Sequence, residues 1–408
     1  MSSVDPQRAR LAVVTPRFPY PLNKGDRLRI YHQLDVLHRH FDIDLHCLTF
    51  GKVGAAELGQ LEGRCDTIHL YRLNPIKALF RMGWAFFSRR PFQVLLFTER
   101  RHVRGMRANI LAQAPDVLLA QMVRTAEYVK DFDALPHVLD IMDTLHAGAE
   151  REAERAPWWK RPLLLEEGRR LLRYEHRVHH YFDACTIISG QDRDLLPHPD
   201  RQDVHIVPNG VDTAYFDPEA NIPALPGDPD AHDVAFCGNL GYAPNIVAAR
   251  YLVQEIGPAF HKLTGRRLQI LICGAQPNAS VLALASDSVT VVRDVPDIRS
   301  AYMAAPIFVA PMLVNTGLQN KLLEALALER ACITTPRALS AIDVDMGDTI
   351  VPADTPSEFA HHIHALLSDS THRTTMGRQG RLNVLEHFGW EAATATLVTV
   401  LKDLAGTR

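Results

Sequence analysis

Short apolar runs rich in β-branched residues recur along the first half of the chain, separated by longer segments with helical spacing. The first run, residues 11–15, ends at a proline, and after a loop Ile30, Leu34 and Leu37 recur at intervals of three to four residues. Asp26 is the predicted N-cap of this helix. The other runs predicted to be strands are residues 43–50, 116–120, 137–141 and 184–189.

A charged segment, residues 150–181, is predicted to be mostly helical and to lie on the outside of this half. It is crowded with Glu and Arg. Pro157 and Pro162 should break or kink its first part, because proline lacks the N–H that a helix interior uses.

A second alternating series follows residues 217–233, a segment with four prolines that interrupts the pattern. Its predicted strands are residues 233–237, 268–273, 289–292, 307–310 and 331–334. Its predicted helices lie near residues 245–263, 298–303 and 317–328. Alternation of strands and helices indicates a parallel sheet with helices on both faces.

The two series predict an α/β fold of two Rossmann-like, doubly wound domains that face a central cleft. Ligands bind in such folds beside the carboxyl ends of the strands. The predicted limits are 1–216 for the N-terminal domain, 217–232 for a linker, 233–385 for the C-terminal domain and 386–408 for a terminal helix that crosses back to the N-terminal domain.

Composition is consistent with two globular domains and excludes some classes of function. A chain of 408 residues is too long for one ordinary core, and 47% hydrophobic with 22% charged residues is typical of a soluble protein. The net charge of −3 argues against a dedicated nucleic-acid binder. No metal-ligand cluster, Walker loop or Gly-x-Gly-x-x-Gly pattern is present, so we expect no metal and no permanently bound cofactor.

Cysteine usage and hydropathy predict a cytoplasmic location. Six cysteines occur singly, several within apolar runs, which is typical of buried free thiols in a reducing compartment. The first residues lack an apolar segment of signal-peptide length, and no stretch approaches the roughly 18 apolar residues needed to span a bilayer.

The most informative stretch, residues 310–335, has the pattern strand, loop, helix, strand. On a helix beginning near Gly317, steps of four and three place Gly317, Lys321 and Glu324 on one face. A helix N-terminus attracts phosphate, a lysine adds a point charge, and a carboxylate can accept two hydrogen bonds from a ribose diol. The alternative is a surface Lys–Glu pair, which contributes only a few tenths of a kcal/mol.

Five segments resemble, in order, the motifs of family 4 glycosyltransferases. The resemblance extends to the subgroup associated with bacterial exopolysaccharide synthesis (the PEP-CTERM/exosortase-associated sugar transferases). It implies the GT-B fold, an N-terminal acceptor-side domain and a C-terminal domain that binds a nucleotide diphosphate sugar of the UDP or GDP type. The segments are residues 17–34, 207–218, 234–252, 311–328 and 388–397.

By this resemblance Glu324 binds the donor ribose and Lys321 the diphosphate, and both are the candidate catalytic residues. The loop of residues 238–245 would lie along the nucleotide. The predicted donor-binding residues are Gly25, Gly238, Asn239, Asn245, Thr316, Gly317, Leu318, Gln319 and Asn320.

Residues of the N-terminal half would approach the phosphates or the acceptor. A glycine after a strand lets the backbone come close to a ligand, and nearby cations add positive charge. The alternative is a turn with a solvated lysine. The candidates are Asn23, Lys24, Gly25 and Arg29, with Gln121 or Arg124 at the position of a histidine that often contacts the sugar in this family.

The chain departs from the family pattern at four places, one of which is the histidine of the N-terminal domain, for which there is no clear counterpart. Thr316 replaces the first of two glutamates, residues 238–245 carry neither Arg nor Lys, and Glu329 and Arg330 stand where a small glycine is common. The donor sugar is therefore left open. Retaining enzymes of this type are thought to need no side-chain base, since the leaving phosphate can take the acceptor proton, so charge stabilisation by Lys321 would carry the reaction.

Residues 76–97 alternate basic and aromatic side chains and suit either a membrane surface or a lipid-linked acceptor. The alternative is a packed helix whose aromatic residues belong to the core. The residues are Lys77, Arg81, Arg89 and Arg90 with Phe80, Trp84, Phe86, Phe87 and Phe92.

The preferred hypothesis is a retaining transferase that extends a cell-surface polysaccharide by adding a sugar to a glycan or lipid-linked acceptor. If the protein binds the membrane peripherally, we expect it at the inner face. One alternative is a sugar-nucleotide epimerase, which would need acid–base side chains in the cleft; the sequence offers only scattered candidates such as Asp140 and Asp143, whose spacing favours a structural role. The other is a non-catalytic protein that binds a nucleotide or a partner enzyme.

Overall fold

A computed structural model describes residues 8–85, 88–225, 231–314 and 317–406. The chain divides into two compact units, the first comprising residues up to Pro208 together with those from Thr394 onward, the second Asn209–Ala393. Each unit contains its own parallel β-sheet with a core of apolar side chains.

The first unit has a sheet of seven parallel strands in the order β3-β2-β1-β4-β5-β6-β7. Its central strands are buried along their whole length because helices cover both faces. The strands are β1 Ala9–Thr15, β2 Phe41–Thr49, β3 Thr67–Arg72, β4 Val117–Gln121, β5 His137–Met142, β6 Ala184–Ile187 and β7 His205–Ile206. The helices are α1 Gly25–Leu37, α2 Ala55–Gly59, α3 Pro75–Ala85, α4 Phe92–Phe97, α5 Arg100–Gln113, α6 Ala126–Val129, α7 Leu145–Arg155, α8 Arg161–Val178 and α9 Gly190–Asp194.

The second unit has a sheet of six parallel strands in the order β10-β9-β8-β11-β12-β13. Its strands are β8 Val234–Cys237, β9 Ile270–Gly274, β10 Val289–Arg293, β11 Ile307–Ala310, β12 Ala331–Thr334 and β13 Ile350–Pro352. Its helices are α10 Ala243–Tyr251, α11 Gly257–Thr264, α12 Ala279–Leu282, α13 Arg299–Met303, α14 Asn320–Ala327, α15 Pro336–Leu339, α16 Pro356–Ser368 and α17 Ser370–His387. Helix α18, Trp390–Ala405, starts in this unit and ends in the first.

The predicted α/β fold of two Rossmann-like domains is confirmed, and every predicted strand is present with ends shifted by at most two residues. Three strands escaped prediction because they carry little apolar signal. Strands β7 and β13 contain two and three residues, and β3 is an edge strand in which only Tyr71 is buried.

Two helix predictions were wrong in detail. Lys24, not Asp26, is the N-cap of α1. Helix α14 begins at Asn320, three residues after Gly317. The break predicted in the first part of residues 150–181 is present, since α7 ends before Pro157 and Pro162 lies in the first turn of α8, where its missing N–H has no intrahelical partner to lose.

Five of the six cysteines are buried, as predicted, and Cys65 is half-buried. Across the described ranges, no helix is both long enough and apolar enough to cross a bilayer.

The end of α14 has a backbone geometry that favours glycine, the residue expected there from the family resemblance. Glu329 has a φ of 57°, in the left-handed region, and its N–H donates to the Leu326 carbonyl while that of Arg330 donates to the Ala325 carbonyl. These two bonds form a Schellman motif, in which the residue occupied by Glu329 is usually glycine.

We expect Glu329→Gly to raise the free energy of unfolding by about 1 kcal/mol, because a side chain in the left-handed region costs about 1–2 kcal/mol. The ion pair that Glu329 loses, 3.9 Å from Arg378, is exposed and contributes little. Urea unfolding measures the difference. Glu329→Ala is the matched control, since it loses the ion pair but keeps the strain; equal stability of the two variants would contradict the explanation.

Candidate functional site

The strand order of the second unit creates a crevice between β8 and β11. These strands are neighbours in the sheet although β9 and β10 lie between them in the sequence, so the connections leaving them run in opposite directions. Such a switch point is where doubly wound sheets bind ligands. The loop after β8 and the loop and helix α14 after β11 both emerge there.

A hydrogen bond joins the two sides of this crevice. The ammonium of Lys321, in the first turn of α14, donates to the side-chain oxygen of Asn245 in α10. The Asn245 side-chain N–H in turn donates to the backbone carbonyl of Asn239, at 2.8 Å. Asn239, itself exposed, caps the turn by accepting from the Gly241 N–H at 2.9 Å. The predicted donor-binding residues Gly238, Asn239 and Asn245 therefore form one layer with Lys321.

Two glycines make this layer possible. A Cβ on Gly238 would lie 2.8 Å from the Asn245 side-chain nitrogen, and a Cβ on Gly274, at the end of β9, would lie 1.7 Å from the Gly238 carbonyl oxygen. Only glycine permits such a close approach of backbone to backbone. The loop that follows β8 is thus packed between the end of β9 and the Asn245 side chain.

Lys321 is half-buried above an apolar floor. Its ammonium lies 5.3 Å from the ring centre of Phe236 and 3.7 Å from the Met312 sulfur. Burial lowers the pKa of Lys321 to about 8, although the nearby Glu324 acts in the opposite direction. A cation that is poorly solvated and faces a crevice is suited to binding an anion.

Glu324 is also half-buried, which makes the surface Lys–Glu alternative wrong. Its carboxylate accepts a hydrogen bond of 2.6 Å from the Tyr302 hydroxyl, a buried residue of α13. Burial raises the pKa of Glu324, while the Tyr302 hydrogen bond and Lys321 oppose the shift. The role of Tyr302 was not predicted. The sequence feature that could have indicated it is a tyrosine hydroxyl on a helix expected to pack against the sheet.

The segment before α14 is less regular than predicted. Gly317 has a φ of 78° and lies outside the helix, so it does not share a helical face with Lys321 and Glu324. Leu318 packs against the core, and the Gln319 side chain donates to the Gly317 carbonyl at 2.9 Å. The side-chain oxygen of Asn320 is buried and has no hydrogen-bond partner among the described residues. Thr316 lies outside the described residues.

The candidates of the first unit divide into exposed and buried ones. Asn23, Lys24 and Gly25 are exposed at the start of α1. Gln121 is buried and donates at 2.7 Å to the Asp26 backbone carbonyl, which leaves it a structural role.

Arg29 is fully buried, so the prediction that it contacts a phosphate is wrong. Its guanidinium binds both oxygens of Asp140, at 2.8 and 3.1 Å, and the carbonyls of Val207 and Pro208, at 2.9 and 3.0 Å. Thr186 donates to the same carboxylate at 2.8 Å. The Asp140 carboxylate is therefore committed to a structural ion pair, which removes one member of the predicted Asp140–Asp143 pair.

Arg124 and Asp143 lie close enough to influence each other electrostatically. The Arg124 guanidinium donates to the Gln93 side chain at 3.1 Å, and burial lowers its pKa. Burial and the nearby Asp192 raise the pKa of Asp143 to about 6, with Arg124 opposing. Two candidates lie at the end of β4. Gln121 is buried, whereas the side chain of Arg124 is half-buried.

Comparisons with known proteins agree with this geometry. Residues 231–369, which contain the crevice, match the family model of group 1 glycosyl transferases. No curated protein sequence matches the chain significantly.

Solved structures resemble the chain over nearly its whole length. A sucrose-phosphate synthase from Thermosynechococcus elongatus has 15% identity and a TM-score of 0.66, with 98% of this chain and 100% of that chain covered. A glycosyltransferase from Rickettsia africae has 13% identity and a TM-score of 0.65 over 98% and 100%. The Anabaena protein HepE, in complex with UDP and glucose, has 12% identity and a TM-score of 0.64 over 97% and 100%. The chain has the GT-B fold.

Proposed function

We propose that this protein is a glycosyltransferase that moves a sugar from a nucleotide diphosphate sugar to a hydroxyl group of a glycan or lipid-linked acceptor. The observation that carries the proposal is the half-buried pair Lys321 and Glu324 at the switch point of the second sheet, held by Asn245 and Tyr302. The match of residues 231–369 to group 1 glycosyl transferases supports it. A UDP sugar is the first donor to test, because HepE binds UDP.

The residues suggest a division of labour within the donor site. Lys321 would neutralise the diphosphate, first in the bound donor and more strongly as the bond between the sugar and the phosphate breaks. Glu324 would accept hydrogen bonds from the ribose, with Tyr302 fixing its orientation. In a retaining reaction the acceptor hydroxyl forms the new bond to the sugar and its proton passes to the leaving phosphate, so no side-chain base is needed.

A panel of UDP, GDP and ADP in thermal-shift and calorimetric experiments tests the proposal. A ligand at a hundred times its dissociation constant should stabilise the protein by about 2.7 kcal/mol. We expect one diphosphate to bind wild type and to lose binding in Lys321→Ala/Glu324→Ala.

The matched control is Glu255→Ala/Lys262→Ala, which removes the same charges from exposed positions of the same unit. It should bind the nucleotide as wild type does. Absence of binding of every nucleotide to wild type, with candidate acceptors present, would overturn the donor site and leave the non-catalytic alternative.

Nucleotide affinity should fall as the pH rises through about 8, where Lys321 loses its proton. The charged lysine attracts the diphosphate and the neutral lysine does not, so the dissociation constant should rise roughly tenfold between pH 8 and pH 9.5. Calorimetry across this range measures the effect. Lys321→Met should bind weakly and show no such pH dependence; parallel curves for both proteins would contradict the assignment.

The finer parts of the proposal concern the acceptor and the surroundings. We place the reaction in cell-surface polysaccharide synthesis on the cytoplasmic side, with residues 76–97 near a membrane. Helix α3 supports this, since Ile76, Leu79 and Phe80 are exposed. Phe92, by contrast, is buried in the manner of a core residue. Phe86 and Phe87 lie outside the described residues.

A further inference from the structure

A strongly basic cavity of about 460 Å³ lies in the first unit, between α8, α6 and the segment that precedes α4. Six cationic side chains and one carboxylate, Glu127, line it, so its net charge is +5. The cations are Arg89, Arg90, Lys130, Arg170, Arg173 and Arg177. We call it the basic pocket.

A buried carboxylate organises one wall of the basic pocket. Glu127 is buried and accepts a 2.9 Å hydrogen bond from the hydroxyl of Tyr174, which is also buried. It pairs with Arg90 at 3.2 Å and with Lys130 at 3.1 Å. One negative charge therefore holds two cations in place without neutralising both.

Arg170 forms another fixed part of the basic pocket. It is buried, its guanidinium donates to Glu166 at 2.8 Å and to the Ala85 carbonyl at 2.6 Å, and it lies 4.6 Å from the centre of the Phe92 ring. These contacts fix the position of its charge before any ligand arrives, which lowers the entropic cost of binding.

Arg173 and Arg177 come from the same helix as Arg170 and also line the basic pocket. Arg173 and Arg177 follow Arg170 on the same face of α8, at spacings of three and seven, and both are exposed. Neither forms a hydrogen bond or ion pair with any of the described residues. Like charges four residues apart destabilise a helix by a few tenths of a kcal/mol. An anion bound in the basic pocket would relieve this repulsion.

Side chains at the start of α8, the helix that supplies three arginines to the basic pocket, suit a membrane surface. Trp158 and Trp159, immediately before α8, are 85% and 61% exposed, and Lys160 and Arg161 follow them. Tryptophan beside basic residues is typical of proteins that rest in the headgroup layer of a bilayer. Arg170 also hydrogen-bonds the last residue of α3, the helix that exposes three large apolar side chains.

We propose that the basic pocket binds a phosphate or diphosphate group. Arginine forks match phosphate oxygens and bind them in pairs, and six cations exceed what a single carboxylate of a glycan would need. The group could belong to a lipid headgroup or to a soluble phosphate compound. The assignment of this phosphate group to the acceptor rests on the proposed function, whereas the binding of phosphate by the basic pocket does not.

Calorimetric titration of the full chain with pyrophosphate tests the basic pocket, with Lys321→Met as background so that the donor site contributes little. Adding Arg173→Gln/Arg177→Gln should weaken binding at least tenfold. The matched control is Arg100→Gln/Arg104→Gln, two exposed arginines at the same spacing on α5. It should leave the affinity for pyrophosphate unchanged.

Nucleotide binding distinguishes this proposal from the donor site. With Lys321 intact, Arg173→Gln/Arg177→Gln should bind the nucleotide as tightly as wild type does.

Vesicle flotation identifies the source of the phosphate. Wild type should float with phosphatidylcholine vesicles that contain phosphatidic acid and not with phosphatidylcholine alone, and the Arg173/Arg177 variant should not float. Pyrophosphate binding without flotation would identify a soluble phosphate compound and still support the basic pocket. The proposal is overturned if the pocket variant equals wild type in both assays, or if the α5 control loses as much.

Discussion

Asp140→Ala is expected to lower the free energy of unfolding by about 3–5 kcal/mol, because it leaves the Arg29 charge buried without its carboxylate. Arg29 is fully buried, and the backbone carbonyls of Val207 and Pro208, to which it also donates, carry no compensating charge. Thr186 would lose its acceptor as well. Urea unfolding followed by circular dichroism measures the loss.

An exposed ion pair of the same unit is the matched control. Asp42→Ala removes a carboxylate that lies 3.3 Å from Arg8 in solvent, and should change stability by less than about 1 kcal/mol. Arg29→Met/Asp140→Leu should recover much of the loss, since it removes both charges. The double variant should also keep nucleotide affinity. A large drop in that affinity with the fold intact would return Arg29 to the binding site.

The fold could be predicted because parallel strands covered on both faces are nearly continuous apolar runs. Strands β4 and β8 are buried at every position, and both were found from the sequence. Edge strand β3 alternates weakly, and β13 is too short to form a run. The start of α14 was missed because Gly317 adopts a left-handed conformation that spacing alone does not reveal.

The candidate site could be predicted in part. Lys321 and Glu324 stood out because they lie close in sequence on a short helix. Their partners Asn245 and Tyr302 are 76 and 22 residues away, and only the sheet order brings them together. The same limitation explains the wrong prediction for Arg29. Its positive charge beside a loop indicated a phosphate contact, because its actual partner, Asp140, lies 111 residues further along the chain.

Lys321→Met is expected to slow sugar transfer by roughly 30- to 1,000-fold, the equivalent of about 2–4 kcal/mol of transition-state stabilisation. Methionine keeps an apolar stem over Phe236 and removes only the charge, so packing should survive. The measurement is the initial rate of nucleoside diphosphate release from the sugar nucleotide that wild type binds, with its acceptor present.

The way the loss divides between kcat and KM distinguishes the roles open to Lys321. Charge that develops on the leaving diphosphate is felt only in the transition state, so a lysine that stabilises it should change kcat more than KM. A lysine that merely holds the donor would raise KM alone. Lys262→Ala, an exposed lysine of the same unit, is the control and should keep the full rate. Activity of Lys321→Met within about threefold of wild type would exclude Lys321 from the chemistry and transfer that role to the helix N-terminus beside it.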